Sequence, residues 1–222
     1  MPRKARIDAP GALHHIIARG IGRRKVFDDN DDRDFFMERL GKIVSDSDTQ
    51  CFAWALIPNH FHLLLKTGTT SISTVMKRLL TGYAMHYNRR HKRYGPLFQN
   101  RYKSILCQED SYLLELTRYV HLNPLRAKLV PDIRGLGNYP YSGHSVLMER
   151  GYPQSGRIRS LVGLFGDKVS VARRRYSEFV KKRNNNPDFL YRGRLERGAY
   201  LNWWNFCSAF FQAEDGIRDH SR

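Results

Sequence analysis

Cys51-Phe52-Ala53-Trp54-Ala55-Leu56-Ile57-Pro58-Asn59-His60-Phe61-His62-Leu63-Leu64-Leu65-Lys66 decides the fold. Two short apolar runs flank Pro58-Asn59, a dipeptide whose residues favour tight turns. A short apolar run bounded by turn chemistry reads as a buried strand, and two such runs so closely joined read as an antiparallel hairpin. A hairpin in the middle of the chain excludes a doubly wound parallel sheet, because parallel neighbours need long crossovers.

Upstream, Ala12–Arg19 is a further strand stopped by Gly20. Asp28–Asp34 supplies acidic helix-start chemistry, and Phe35, Phe36, Leu40 and Val44 follow at helical spacing. Downstream, Ser71 opens a helix to about Arg90, with Ile72, Val75, Met76, Leu79, Leu80 and Tyr83 as its apolar stripe. Gly95-Pro96 breaks the chain, and Tyr102–Cys107 is a strand. A helix from Asp110 to His121 follows, with Asp110 and Ser111 as cap candidates, and it should stop before Asn123-Pro124. The order is strand, helix, hairpin, helix, strand, helix, which predicts an α+β sandwich of helices on a sheet. From Val130 to Pro153 loop chemistry dominates, with glycines and prolines spread along it, so a domain boundary is placed near 150. Beyond it, Leu161–Arg183 is basic and helical in pattern, a C-terminal extension spanning 151–210. Phe211–Arg222 resembles a translated sequencing-adapter oligonucleotide and is set aside as an artefact of assembly.

Composition narrows the partners. Lys and Arg total 38 against 21 acidic residues, a formal net charge of +17. Such an excess suits a polyanion, since neutralising phosphates releases condensed counterions. No apolar run could span a bilayer, and no apolar signal region follows the basic start, so a cytoplasmic location is expected. Cys51, Cys107 and Cys207 form no paired framework, which fits a reducing compartment and argues against a zinc–cysteine site.

Two constellations could carry chemistry. On a strand His60 and His62 share one face while Phe61 takes the other, so two imidazoles could meet one divalent ion. The same spacing also fits two half-buried histidines hydrogen-bonded within the sheet. On the helix before Asn123-Pro124, Tyr112, Tyr119 and Asn123 share a face, so the Asn123 amide oxygen could reach an ion near a tyrosine. Any one tyrosine there could equally be a core residue with a wet hydroxyl. Glu115 reads as a solvated helix charge, with contact to a metal as the alternative.

Ala55-Leu56-Ile57-Pro58-Asn59-His60-Phe61-His62-Leu63-Leu64 and Ser111-Tyr112-Leu113-Leu114-Glu115-Leu116-Thr117-Arg118-Tyr119-Val120-His121-Leu122-Asn123-Pro124-Leu125-Arg126-Ala127 resemble the metal-binding and nucleophile segments of the insertion-sequence-200-like single-tyrosine transposases. Gly95–Lys103 and Pro10–Gly20 are similar to two further segments of that family. The branch most resembled is the REP-associated tyrosine transposases, over about residues 5 to 150. The resemblance implies a ferredoxin-like sandwich over 1–150 with a central antiparallel sheet. It implies Mg²⁺ or Mn²⁺ held by His60 and His62 with help from Asn123, and Tyr119 as the nucleophile. It also implies single-stranded or hairpin DNA as substrate, cut through a 5′-phosphotyrosine and rejoined without ATP. A departure is Tyr141-Ser142-Gly143-His144, where family members often carry Trp-Ser-Ser-Tyr.

Basic residues are expected to track DNA: Arg19, Arg23, Arg24 and Lys25 after the first strand, Arg89, Arg90, Lys92 and Arg93 at the end of the long helix, and Arg101 and Lys103 before the next strand. Tyr83, Tyr87 and Tyr94 are interleaved with them, and rings stack on unpaired bases while cations follow phosphates. Expected partners are thus DNA and no membrane, with a homodimer the alternative to a monomer. Two other readings compete: a domesticated DNA-hairpin-binding protein that no longer transposes, and an RNA-binding α+β domain. The latter needs exposed aromatics on central strands, where this chain carries histidines.

Overall fold

The computed structural model describes residues 9–107, 109–148 and 165–182. Its elements are β1 (Leu13–Arg19), a 3₁₀ turn (Ile21–Arg23), α1 (Asn30–Asp46), β2 (Gln50–Ile57), β3 (His60–Lys66), α2 (Ile72–Arg90), β4 (Lys103–Cys107), α3 (Glu109–His121), α4 (Asn123–Arg126), α5 (Ile133–Asn138), α6 (Gly143–Leu147) and α7 (Val169–Lys181). The four strands form one sheet in the order β2-β3-β1-β4, every neighbouring pair antiparallel. A βαββαβ chain with its first and third strands central is the ferredoxin-like arrangement that the motifs implied.

Strand alternation divides the sheet into two unlike faces. One carries Ile16, Ala18, Leu56, Phe61, Leu63 and Leu65, all buried in the main core with residues of α1 and α2. Phe61 packs there against Phe36, ring centroids 4.8 Å apart. α1 starts where Asp29 accepts from the Asp32 amide, and α2 where Ser71 accepts from the Thr74 amide, so each helix has a side-chain N-cap. The opposite face carries His15, Ile17 and Arg19 of β1 beside Leu64, His62 and His60 of β3. α3 lies against β2 and β3 on this second face.

The structure corrects several local readings. Asp110 and Ser111 lie inside α3, which begins at Glu109, so they are not its caps. The helix does stop at His121, but the chain then forms the short α4 with Pro124 in its first turn, where a missing N–H costs nothing. The glycine-rich stretch after Val130 holds two short helices, α5 and α6, capped by Asp132 and Ser142. Just before α6, Tyr141 accepts from the Leu56 amide at 2.9 Å and Ser142 bridges Ala55, so the edge of β2 is partly covered.

Of the helix expected over Leu161–Arg183, the structure forms α7 at Val169–Lys181, while 165–168 precede it outside the α-helix. Its Ala172, Tyr176 and Val180 are buried together with Leu122, Leu136 and Leu147. It belongs to the compact unit Met1–Arg183 that contains the sheet. The boundary placed near 150 and the tail from Phe211 lie outside the described residues. Among the described residues, no helix is long and apolar enough to cross a membrane.

Candidate active site and nucleic-acid interface

The register of β1 against β3 builds the site. Arg19 pairs with His60 and Ile17 with His62, so His15, one step further along β1, comes beside His62 on the same face. His15 Nε2 and His62 Nδ1 share a hydrogen bond of 3.0 Å, and their rings stack at 5.2 Å. The His60 and His62 rings stand edge to face at 5.2 Å. Tyr119, from α3, places its ring 5.9 Å from both His62 and His15. The two histidines of β3 and the tyrosine of α3, some 60 residues apart in sequence, therefore meet at one place.

Burial sets the protonation. It pulls His60 down to about 4, aided by the Arg19 charge, and His15 to about 4. His62 falls well below its ordinary value, first by burial and then by its charged and imidazole neighbours. All three are neutral near pH 7, as metal ligation requires. The Asn59 side-chain oxygen lies 2.6 Å from His60 Nδ1 and so accepts from it, which makes Nε2 the lone-pair nitrogen of that ring. His15, absent from the sequence-derived site, is fully buried, and its Nδ1 has no hydrogen-bond partner among the described residues. Alternation along β1 could have placed His15 with Arg19, but only the strand register puts it against His62.

Asn123 is buried, and its amide nitrogen donates to the carbonyls of Tyr119 at 2.8 Å and Val120 at 3.3 Å. This ties it to the end of α3, with its amide oxygen as the atom that could ligate. Arg126 is a second residue not foreseen from sequence. Its guanidinium lies 4.7 Å from the Tyr119 ring centroid, with Nη1 3.4 Å from the Tyr119 carbonyl. Glu115 is not a fully solvated charge, for it is half-buried and forms an ion pair with Arg118 one turn on. The Tyr112 side chain lies outside the described residues.

The basic residues separate into two groups. Arg23, Arg24 and Lys25 are exposed on the turn after β1. That turn is pinned to the site, for the Gly20 amide donates to Asn59, those of Val26 and Phe27 to Pro58, and that of Ile21 to Leu97. Arg101 and Lys103 are exposed near the same end of the sheet, with Lys103 opposite Ile17 in register. Arg89 and Lys92 are exposed, while Arg93 donates to the Pro96 carbonyl. Arg90 departs from its expected role. Its guanidinium bonds Asp29 at 2.7 Å, Asp31 at 3.0 Å and the fully buried Asp32 at 2.7 Å. Its guanidinium is thus engaged by the start of α1. Of the interleaved aromatics, Tyr83 and Tyr87 are core residues and only Tyr94, 94% exposed, could stack on a base.

Among the described residues, the one grouping of three acidic or histidine ligands with metal-like spacing is Asp28, Asp32 and His91. Arg90 and His91 already bond Asp32, and the Tyr87 hydroxyl donates to Asp28, so internal partners satisfy its charge.

Residues 10–123 match the model of a family described as IS200-like transposases. Among solved structures, a REP-associated tyrosine transposase bound to a REP hairpin is similar, at 16% identity and a TM-score of 0.55, covering 76% of this chain and 98% of that one. A second, described as a transposase of Deinococcus radiodurans R1, is 16% identical with a TM-score of 0.37, covering 69% and 98%. At such identities the likeness is one of fold. No curated protein matches.

Proposed function

The chain belongs to the IS200-like transposase family, and from that premise we propose that it nicks and rejoins single-stranded or hairpin DNA through Tyr119. The observation that carries this reading is the convergence of Tyr119 of α3 with His62 and His15 on one buried sheet face. A phenol among neutral imidazoles, at an end of the sheet bearing exposed cations, suits attack on a phosphodiester.

In the proposed reaction the Tyr119 oxygen bonds to phosphorus, the P–O3′ bond breaks, and the 3′ oxygen leaves as a hydroxyl on taking up a proton. The phenolic proton passes to a neighbouring base or to water. The 5′-phosphotyrosine preserves the energy of the broken bond, so a later 3′-hydroxyl can attack it and restore a phosphodiester. His60 and His62 would hold Mg²⁺ or Mn²⁺, with the Asn123 amide oxygen completing the protein ligands. Their neutral imidazoles and the oxygen donor fit such an ion, softer Mn²⁺ better than Mg²⁺. Bound there, it would supply Lewis-acid polarisation of the phosphate. His15 would accept from His62 Nδ1–H, which turns His62 Nε2 towards the ion and fixes its tautomer. Arg23, Arg24, Lys25, Arg101 and Lys103 would guide the strand, joined by Arg89, Lys92 and Arg93. The hairpin as substrate draws on the bound REP hairpin of the structural relative.

The test is covalent trapping. With a labelled hairpin bearing a single-stranded flank and Mn²⁺, the protein should yield an adduct that survives denaturation. Tyr119→Phe should abolish the adduct and leave binding nearly unchanged, because only the attacking oxygen is lost. Tight hairpin binding without any adduct would instead identify a binding protein that no longer cuts.

A further inference from the structure

α7 lies beyond the matched residues 10–123, yet it grips the helix that carries the proposed nucleophile. Tyr176 of α7 is 1% exposed, and its hydroxyl stands 2.8 Å from His121 Nδ1 and 2.9 Å from His144 Nδ1. A hydroxyl has one proton, so it donates to one imidazole and accepts from the other's N–H. One oxygen thereby joins α7, α3 and α6. Three residues earlier on α3, buried Arg118 donates to the Phe179 carbonyl of α7 at 3.2 Å and lies 4.3 Å from the Phe179 ring centroid.

Tyr119 sits between these two anchors. At about 100° of rotation per residue, His121 points some 160° away from Tyr119 around the helix. α3 is therefore held on two sides, by the histidine face of the sheet through Tyr119 and by α7 through Arg118 and His121. A slide or roll of α3 that displaced the phenol would have to break the contacts with α7. Gly143 completes the arrangement. A Cβ there would stand 2.4 Å from His121 Nε2 and 3.2 Å from Trp54, so a glycine is what lets the His121 ring lie where Tyr176 meets it.

We propose that Tyr176 is a positioning residue for Tyr119, and that α7 is the clamp setting where the phenol stands over the histidine face. This rests on the reading of Tyr119 as nucleophile. It also makes a segment outside the family match part of the machinery that times and aims the chemistry.

The experiment uses the full chain and two variants. Tyr176→Phe keeps the ring packing and removes both hydrogen bonds. Gly143→Ala leaves Tyr176 intact and pushes His121 away from it. Single-turnover adduct formation at saturating hairpin DNA, well below the melting temperature, should slow about tenfold or more in both, since small misplacements of a reacting group cost that much. Hairpin and Mn²⁺ affinities should stay as in the unaltered protein, and amide exchange should quicken in α3 more than in the sheet. A role in stability alone would lower the melting temperature of Tyr176→Phe and leave the rate untouched, and that result overturns the proposal. Unchanged exchange in α3 overturns it too. Should the unaltered protein bind hairpins without forming an adduct, the reading of Tyr119 fails by itself, and the exchange measurement alone decides whether α7 clamps α3.

Discussion

His15 shows how a single side chain can matter without touching substrate. It is fully buried, and hydrogen-bonded at 3.0 Å to the histidine proposed as a metal ligand. Removing the partner that orients a ligating imidazole commonly lowers metal affinity about 10- to 100-fold. His15→Ala should therefore weaken Mn²⁺ binding by that order in calorimetric titration, while hairpin affinity in EDTA is unchanged. Equal Mn²⁺ affinity in the two proteins would remove His15 from the site. Phe61, between His60 and His62, has the opposite task. It is fully buried on the far face against Phe36, so the alternation that pairs the histidines also anchors the strand.

The cations are best judged element by element. Arg90, at the end of α2, pairs with the acidic start of α1, while Arg23 and Arg24 stand exposed on the turn after β1. Losing Arg90 leaves the buried Asp32 carboxylate short of a partner, and an uncompensated buried charge is destabilising. Arg90→Ala should thus lower the melting temperature and leave the salt dependence of hairpin binding as it was. Arg23→Ala and Arg24→Ala should do the reverse, each reducing the slope of log affinity against log salt by about one. If Arg90→Ala changed the slope and not the stability, the division between structural and DNA-facing arginines would be wrong.

Across the whole molecule, burial of neutral histidines links folding to pH. His15, His60 and His144 are held to about 4, and His62 and His121 well below their ordinary value, in each case chiefly by burial. The unfolded chain takes up these protons near pH 6.5, and the folded chain resists until lower pH. Their contribution is complete above about pH 6.5 and is lost as pH falls from there towards 4, at up to about 1.4 kcal/mol per unit for each histidine. In EDTA the melting temperature should hold between pH 8 and 7 and drop steeply between 6.5 and 4.5. A flat profile across that lower window would mean that the histidines are not buried neutral in the folded protein.

Local chemistry alone determined the element order, the hairpin at Pro58-Asn59, the shared face of His60 and His62, and a surface suited to polyanions, because strand alternation, helical spacing and net charge are properties of the chain itself. The caps misread at Asp110 and Ser111, and α5 and α6 unseen among glycines and prolines, mark where tertiary packing overrides weak local preference. Only the folded structure decided that His15 meets His62, that Arg90 serves α1 and that Tyr83 and Tyr87 are core. It alone brought α7 onto the back of α3. Each of these depends on strand register or helix docking between distant segments, and no spacing along the chain encodes which distant partner will fill the remaining volume or satisfy a buried charge.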